Sequence, residues 1–164
     1  LLDNGQPFLA GKPVAGFTNE EELFLIPEAR ELFPFLLEDR MREQGADVVV
    51  GLPYLENIAV TDGLVTGQNP WSVYATAEAM VQQLGYEPVA RQATGDENSV
   101  DVLIQYHLLG KVGARETMDA LWAADEALNR NLIIMHGLVA AMQWRLKSAL
   151  ELLVLAQHAK SLTA

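Results

Sequence analysis

Short apolar runs separated by turn signals occupy the first 90 residues. Val14–Phe17 is apolar and Asp47–Val50 ends in three valines, and both patterns are typical of short buried strands. Ile58–Thr61 and Leu64–Thr66 flank Asp62-Gly63, the kind of residue pair that tight hairpin turns favour. The pattern therefore predicts two separate strands followed by a β-hairpin.

Helix signals lie between these strands. Thr18 or Asn19 can cap a helix with three glutamates in its first turn, where the helix dipole favours acidic side chains. A further helix is expected between Pro34 and Gly45. The first part of the chain is therefore expected to combine strands and helices.

The helix with the clearest boundaries follows the hairpin. Asn69 is the expected N-cap, Pro70 is the first helical residue and Gly85 ends the helix. Its apolar side chains recur at helical spacing and form one face, which consists of Val73, Ala77, Met80, Val81 and Leu84.

Residues 88–99 are polar and rich in turn formers, and the pattern beyond them predicts long helices. Apolar residues recur there at alternating steps of three and four over about five heptads, and Asp125 is the one break. A second apolar stripe favours a helical hairpin, or a helix packed in an oligomer, over a narrow coiled coil. We expect Trp122 and Trp144 to pack in this helical core. The main seam consists of Met118, Leu121, Leu128, Leu132, Met135, Val139, Met142, Leu146, Ala149 and Leu153.

Charge and hydropathy exclude several partners. The net charge is −11, and 14 of the 22 acidic residues precede residue 96. Because an acidic surface repels phosphates, nucleic acid is not an expected partner. No run of about 18 apolar residues occurs, so we expect no contact with a membrane. No signal peptide is visible, and a cytoplasmic location is expected.

The side chains available for chemistry are few. The chain contains no cysteine, which excludes a cysteine nucleophile and thiolate metal sites within these 164 residues. His107, His136 and His158 do not pair at helical spacing, so we expect no metal site. No phosphate loop or dinucleotide fingerprint occurs, and no organic cofactor is expected. His136 lies on an apolar helix and is best interpreted as a core or interface group.

Three segments in order resemble the ThiJ/PfpI family, whose domains are similar to class I glutamine amidotransferases. The resemblance covers residues 1–87, and it is to the C-terminal half of the domain in the branch that includes glyoxalase III-like proteins, chaperone-like proteins and the parkinsonism-associated deglycase. Residues 96–164 resemble no family that we recognise. The matching segments are GKPVAGFTNEEE (Gly11–Glu22), FPFLLEDRMREQGAD (Phe33–Asp47) and VTDGLVTGQNPWSVYATAEAMVQQL (Val60–Leu84).

The resemblance implies a partial flavodoxin-like α/β sandwich over residues 1–87. The polar stretch at 88–99 is then expected to be a linker, and the apolar repeat beyond it a helical extension at 100–164. In the family a cysteine on a sharp strand-to-helix elbow is the nucleophile, and a histidine follows it directly. Leu1-Leu2 would be the end of the elbow helix. The chain is therefore expected to be truncated, with the Cys-His pair in a missing N-terminal half-domain.

The resemblance also assigns site residues. An acidic residue after the Gly-Phe strand orients the histidine in the glyoxalase III-like branch, and by position this is Glu22, with Glu20 as the second choice. Without the resemblance, both are simply acids at a helix N-terminus. Asn69, Pro70 and Trp71 match a loop at the pocket mouth, although Asn69-Pro70 is also an ordinary helix start. The family often has small residues where Trp71 stands, which argues against an open pocket there.

Two functions remain open from the sequence. In the first, the chain is a ThiJ/PfpI-family fragment that is inactive alone, and the complete protein acts on small 2-oxoaldehydes, or as an amidotransferase- or hydrolase-like cysteine enzyme. In the second, it is a non-enzymatic assembly or chaperone-like protein whose residues 100–164 drive association. A sheet without its first strands would leave Val14–Phe17 without parallel neighbours, so the C-terminal helices, a second copy or a partner would have to cover that edge. We expect a homodimer.

Overall fold

A computed structural model describes residues 5–61 and 63–162, so the expectations for Leu1-Leu2 and Asp62 lie outside the described residues. The chain forms two compact units that divide between Val89 and Ala90. The first unit mixes strands and helices, and the described part of the second unit is helical. This arrangement confirms the fold class that the sequence predicted.

The first unit alternates short strands with helices. Its elements, in chain order, are β1 (Pro13–Val14), α1 (Asn19–Leu25), α2 (Ala29–Leu32), α3 (Leu37–Glu43), β2 (Asp47–Val48), β3 (Ile58–Thr61), β4 (Leu64–Gly67), a 3-10 turn (Pro70–Ser72) and α4 (Val73–Gln83).

Strand β1 has a parallel neighbour, contrary to the expectation that this strand would lack one. β1 pairs with β2 in parallel, with Val14 opposite Val48. The three helices between them form the crossover that a parallel pair requires. Ala15 directly follows β1, and its backbone N–H donates to the Thr66 hydroxyl at 2.9 Å. This bond connects the end of β1 to β4.

The hairpin forms as predicted. β3 and β4 pair antiparallel, with Thr61 opposite Leu64, so a two-residue turn connects them. The signals predicted around α4 are present, but Asn69 caps the 3-10 turn before it, and α4 itself begins at Val73. The Asn69 side chain accepts a hydrogen bond from the Trp71 N–H at 3.1 Å, and Gly85 after the helix has a φ of 83°. A positive φ costs glycine little, which explains why the helix ends there.

The apolar face of α4 is largely open to solvent. Val73, Met80 and Leu84 are exposed, and Ala79 is the buried residue of this helix. Helix α3 also begins later than Pro34: it starts at Leu37, after Leu36 in an extended conformation. Phe33 and Leu36 are instead extended, and the Leu36 side chain is buried.

The second unit contains α5 (Gly95–Ala123), α6 (Arg130–Met142) and α7 (Leu146–Leu162). Helix α5 is interrupted at Gly110, whose φ of 72° and ψ of −167° are not helical. The three helices pack around Leu103, Met118, Ile133 and Leu155, which are all buried.

Two expectations for this region were wrong. Residues 95–99, which were assigned to the linker, belong to α5, because Thr94 and Glu97 form a capping box that starts the helix early. The apolar seam is divided among separate helices, which agrees with the helical-hairpin alternative, because the chain turns at Asp125 and again at Trp144, both at a φ of 60°. Trp122 and Trp144 are exposed and do not pack in a core.

Candidate functional site

A buried carboxylate lies at the start of α1. The Glu21 side chain is fully buried, and its Oε2 accepts hydrogen bonds from the Thr18 N–H at 3.0 Å and the Thr18 hydroxyl at 2.9 Å. The Glu21 N–H in turn donates to the Thr18 hydroxyl oxygen at 3.2 Å. This reciprocal capping box fixes the first turn of α1, where all three acidic residues of the GFTNEEE segment lie.

The second oxygen of Glu21 binds two distant segments. Glu21 Oε1 accepts from the Tyr54 N–H at 2.7 Å and from the Asn69 side-chain amide at 2.9 Å. Asn69 also donates to the carbonyl oxygen of Leu55 at 2.7 Å. An ionised carboxylate can only accept, and four donors from three segments satisfy it without water. Such complete pairing is what a buried carboxylate requires.

Tyr54 completes this group of residues. Its hydroxyl donates to the Glu21 carbonyl oxygen at 2.8 Å, and its ring packs edge-on against Phe24 and Trp71, with ring centres 6.1 and 6.3 Å away. The backbone of Tyr54 has a φ of 58°, which is uncommon for a bulky residue. Because such a conformation costs about 1–3 kcal/mol, the surrounding contacts must hold it in place.

The electrostatics of this region are dominated by the three glutamates. Burial raises the pKa of Tyr54 to about 12, and the negative charges of Glu21, Glu20 and Glu22 add to that effect. The tyrosine is therefore a neutral hydrogen-bond donor at any physiological pH. The same negative field would favour a positively charged group placed nearby, such as an imidazolium.

The loop before Asn69 is held by Gln68, a residue that sequence reasoning did not single out. The Gln68 side chain is buried, and its Oε1 accepts from the Gly51 N–H at 2.8 Å and the Asn57 side chain at 2.9 Å. Asn57 N–H also donates to the Ser72 hydroxyl at 3.1 Å. These bonds fix the backbone on either side of Asn69 and thereby the position of the Asn69 side-chain amide.

Of the two predicted acids, Glu22 is half-buried and Glu20 is exposed. Within residues 5–61 and 63–162, no hydrogen bond or ion pair engages the Glu22 carboxylate, whereas its neighbour Glu21 is fully engaged. Glu21, and not Glu22, is the acid that the structure brings together with Asn69 and, through Tyr54, with Trp71. Glu22 projects from the same first turn that the Glu21 bonds fix.

An open apolar groove runs beside the predicted pocket loop. It has a volume of about 430 Å³, and Asn69 and Pro70 line it together with Gly67, Val73 and Met80. Trp71, Glu20 and Glu22 are not among its lining residues. A second open groove of about 330 Å³ lies between the hairpin and α4, lined by Leu64, Met80 and Leu84. No charged side chain is among the described residues that line either groove.

Of the site residues that sequence reasoning missed, Glu21 has a local sequence signal and Tyr54 has none. The spacing of Thr18 and Glu21 is a capping-box pattern, so the role of Glu21 at the helix start was readable. Tyr54 lies 33 residues away from Glu21 and carries no local signal.

In the described part of the chain, no group of three or more acidic or histidine side chains is arranged to hold a metal ion. No described helix is long and apolar enough to cross a membrane.

Comparison with known proteins places the first half of the chain. No family model matches it. The resemblance to the ThiJ/PfpI family that the sequence predicted is confirmed for about half of the chain. One protein that the chain matches is the glutathione-independent glyoxalase HSP31 of Saccharomyces cerevisiae, at 34% identity over 85 residues, or 49% of this chain. The chain spans 35% of the length of that relative.

Solved structures match the same half. The rapid encystment protein of 24 kDa from Francisella tularensis is 34% identical, with 50% of this chain and 36% of that chain covered and a TM-score of 0.46. A further crystal structure is 38% identical, with 51% and 37% covered and a TM-score of 0.47. Because both TM-scores are low, the relationship rests on the sequence identity.

Proposed function

We propose that residues 5–87 form the histidine-orienting part of a glyoxalase-type cysteine site, with Glu22 as the orienting acid. The observation that carries this proposal is the 34% identity over 85 residues to a glutathione-independent glyoxalase. The substrates would be small 2-oxoaldehydes. Since the 164 residues contain no cysteine, the thiolate must come from outside them.

The geometry around Glu22 supports this role. Its carboxylate is half-buried and has no partner among the described residues, so it can accept a hydrogen bond from an imidazole N–H. Glu21 cannot take that role, because four donors already occupy its two oxygens. Glu20 is exposed, where water screens its charge.

The chemistry follows from the field of these glutamates. A carboxylate that accepts from one imidazole nitrogen fixes the tautomer of the ring and stabilises its cation. An imidazolium beside a thiol lowers the pKa of that thiol and so increases the thiolate fraction. The thiolate would then attack the aldehyde carbon of the substrate, and the imidazolium would donate its proton to the resulting alkoxide.

The proposal is tested with a chimera. The 85-residue segment of the yeast glyoxalase that matches this chain is replaced by the matching segment of this chain, and turnover of methylglyoxal is measured. We expect the chimera to be active and Glu22→Gln to lower kcat by about 100-fold or more, because the neutral amide cannot stabilise the imidazolium. Glu20→Gln is the matched control and should retain the activity of the parent chimera. A Glu22→Gln chimera that is as active as its parent would show that Glu22 does not orient the histidine.

A further inference from the structure

Glu22 lies on a helix that is too short to fix its own direction. Helix α1 contains seven residues, and an isolated helix of fewer than about 12 residues is marginal in water. The Glu22 carboxylate forms no hydrogen bond or ion pair with any described residue, so its position depends on the backbone that carries it. Contacts between α1 and other segments must therefore set the direction in which Glu22 projects.

The peptide group between Glu21 and Glu22 is held at both ends. Its N–H, which belongs to Glu22, donates to the carbonyl oxygen of Thr18 at 2.9 Å. Its carbonyl oxygen, which belongs to Glu21, accepts from the Tyr54 hydroxyl at 2.8 Å. The first bond lies within the first turn of α1, whereas the second comes from a loop 33 residues later in the chain. Tyr54 therefore holds this peptide group from outside the helix.

The ring of Tyr54 provides a second contact with the same helix. It packs edge-on against Phe24, with the ring centres 6.1 Å apart, and against Trp71 in the predicted pocket loop, at 6.3 Å. Tyr54 thus contacts α1 both before and after Glu22 in the sequence, at Glu21 and at Phe24. Because a rotation of α1 about its own axis would disturb both contacts, Tyr54 restricts the direction of the Glu22 side chain.

Tyr54 is itself held in place, and its hydroxyl is not available for chemistry. The residue is 5% exposed, and its backbone N–H donates to Glu21 Oε1 at 2.7 Å. Burial raises the pKa of Tyr54 to about 12, so the hydroxyl remains a hydrogen-bond donor at the pH of any ordinary assay. Because that hydroxyl is buried and already donates to a backbone carbonyl, it does not supply a proton to a substrate.

We propose that Tyr54 is a positioning residue for the proposed reaction: it holds α1 in the orientation in which the Glu22 carboxylate accepts a hydrogen bond from the imidazole of the glyoxalase-type site. This inference rests on the proposed function, and Tyr54 acts through Glu22 and not on the substrate. Since a displacement of about 1 Å can lower a rate by about 100-fold, the loss of one of two contacts should lower kcat by about 10-fold.

A double-mutant cycle in the chimera distinguishes positioning from stability. We expect Tyr54→Phe to lower kcat by about 10-fold with KM unchanged, but by less than about 2-fold when Glu22→Gln is already present, because the residue through which Tyr54 acts is then gone. A variant that only reduced the folded fraction would lower the measured kcat equally in both backgrounds. Tyr74→Phe makes the same chemical change on α4, where Tyr74 is 40% exposed, and should match the parent.

The pH profile gives a second readout that a loss of folded protein does not move. Tyr54→Phe exchanges one neutral side chain for another, so a shift of the profile reports on the position of the Glu22 carboxylate. A carboxylate that is less well placed stabilises the imidazolium less, and the imidazolium then loses its proton at a lower pH. We expect the basic limb of kcat/KM to move down by about 0.5 pH unit.

The outcomes separate this inference from the proposed function. Equal effects of Tyr54→Phe in the two backgrounds, or a basic limb that does not move, would overturn the positioning role of Tyr54 and leave the role of Glu22 intact. A Glu22→Gln chimera as active as its parent would instead remove the proposed function, and the positioning role with it.

Hydrogen exchange in the full 164-residue chain tests the same contact if the Tyr54→Phe chimera does not fold. Because the variant removes one hydrogen bond from the peptide group, exchange of the Glu22 amide should become about 5-fold faster relative to the amides of the β3–β4 hairpin. Tyr74→Phe should leave this ratio unchanged. An unchanged ratio in Tyr54→Phe would overturn the inference without any assay of activity.

Discussion

Tyr54 donates two hydrogen bonds to one residue, Glu21: its backbone N–H to the side-chain Oε1 at 2.7 Å and its hydroxyl to the backbone carbonyl oxygen at 2.8 Å. These bonds connect the first turn of α1 to the loop before β3. They hold Tyr54 in its left-handed conformation and fix the turn from which Glu22 projects.

Tyr54→Phe and Glu21→Gln should lower the stability of the first unit by different amounts. We expect Tyr54→Phe to lower the free energy of unfolding of the first unit by about 1 kcal/mol, since it removes one hydrogen bond. Glu21→Gln should cost about 2–4 kcal/mol. It replaces one acceptor oxygen by an NH2 group, so the buried donors that bonded to that oxygen lose their acceptor and face another donor. Denaturant unfolding followed by hydrogen exchange at the Tyr54 amide measures both effects locally.

Glu22→Gln is the control for these variants, because it changes the neighbouring carboxylate in the same way. Its effect on stability should stay within about 0.5 kcal/mol, as for a side chain without a bonded partner. Equal losses for Glu21→Gln and Glu22→Gln would contradict the assignment of the structural role to Glu21.

The interruption of α5 makes a prediction that depends on backbone conformation alone. Nothing lies within 4 Å of a Cβ added to Gly110, but its φ and ψ are in a region that is essentially restricted to glycine. Gly110→Ala should therefore destabilise the second unit by about 1–3 kcal/mol, or straighten the helix. Thermal unfolding and helical circular dichroism distinguish these two results.

Gly137→Ala is the opposite case. Gly137 lies inside α6, and an added Cβ would meet its neighbours at 3.5–3.6 Å, which is ordinary contact. We expect a gain of about 0.5–1 kcal/mol from the better helix propensity of alanine. If both glycine variants change the midpoint of thermal unfolding in the same direction, the conformation assigned to Gly110 is wrong.

The pH dependence of the second unit should reflect Glu97. Hydrogen bonds from Arg91 at 2.5 and 2.7 Å, followed by those from Thr94, lower the pKa of Glu97 from 4.5 to about 2. Because the pKa of Glu97 is lower in the folded state than its ordinary value of 4.5, the Glu97 carboxylate stabilises the folded state at every pH above 4.5. This stabilisation is lost as the pH falls from about 4.5 towards 2.

Arg91→Gln should therefore lower the free energy of unfolding by about 1 kcal/mol at pH 7 and flatten its pH dependence below pH 5, since the pair is partly exposed. Arg115→Gln is the control, because Arg115 and Asp119 form an exposed pair at 4.0 Å. An unchanged slope in Arg91→Gln between pH 2 and 5, measured by denaturant unfolding, would mean that Arg91 does not set this pKa.

Local signals predicted the local structure of the first unit well. The hairpin around Gly63 and the 3-10 turn that Asn69 caps before α4 depend on residues close in sequence, so their chemistry is visible in the sequence itself. The early start of α5 was also encoded locally, in Thr94 and Glu97, but the polar composition around them suggested a linker. When a capping-box pattern and the local composition disagree about where a helix begins, the capping box is therefore the better guide.

The long-range contacts of the site could not be read in this way. The bonds from Tyr54 and Asn69 to Glu21 join residues 33 and 48 positions apart, and no spacing rule connects them. The apolar repeat in the second half did predict helices, and its one break is at Asp125, where the chain turns. It gave no sign of the second turn, at Trp144. Apolar periodicity reports which side of a helix needs cover, and not what covers it.

The central claim is that glyoxalase-type chemistry on this segment requires a sulfur nucleophile that these 164 residues do not contain. Methylglyoxal consumption by the purified 164-residue chain tests it most directly, with buffer and Glu22→Gln measured in parallel. We predict that both proteins match the buffer rate. Saturable turnover by the chain that Glu22→Gln abolishes would contradict the account, because it would place a complete reactive centre within a chain that lacks cysteine.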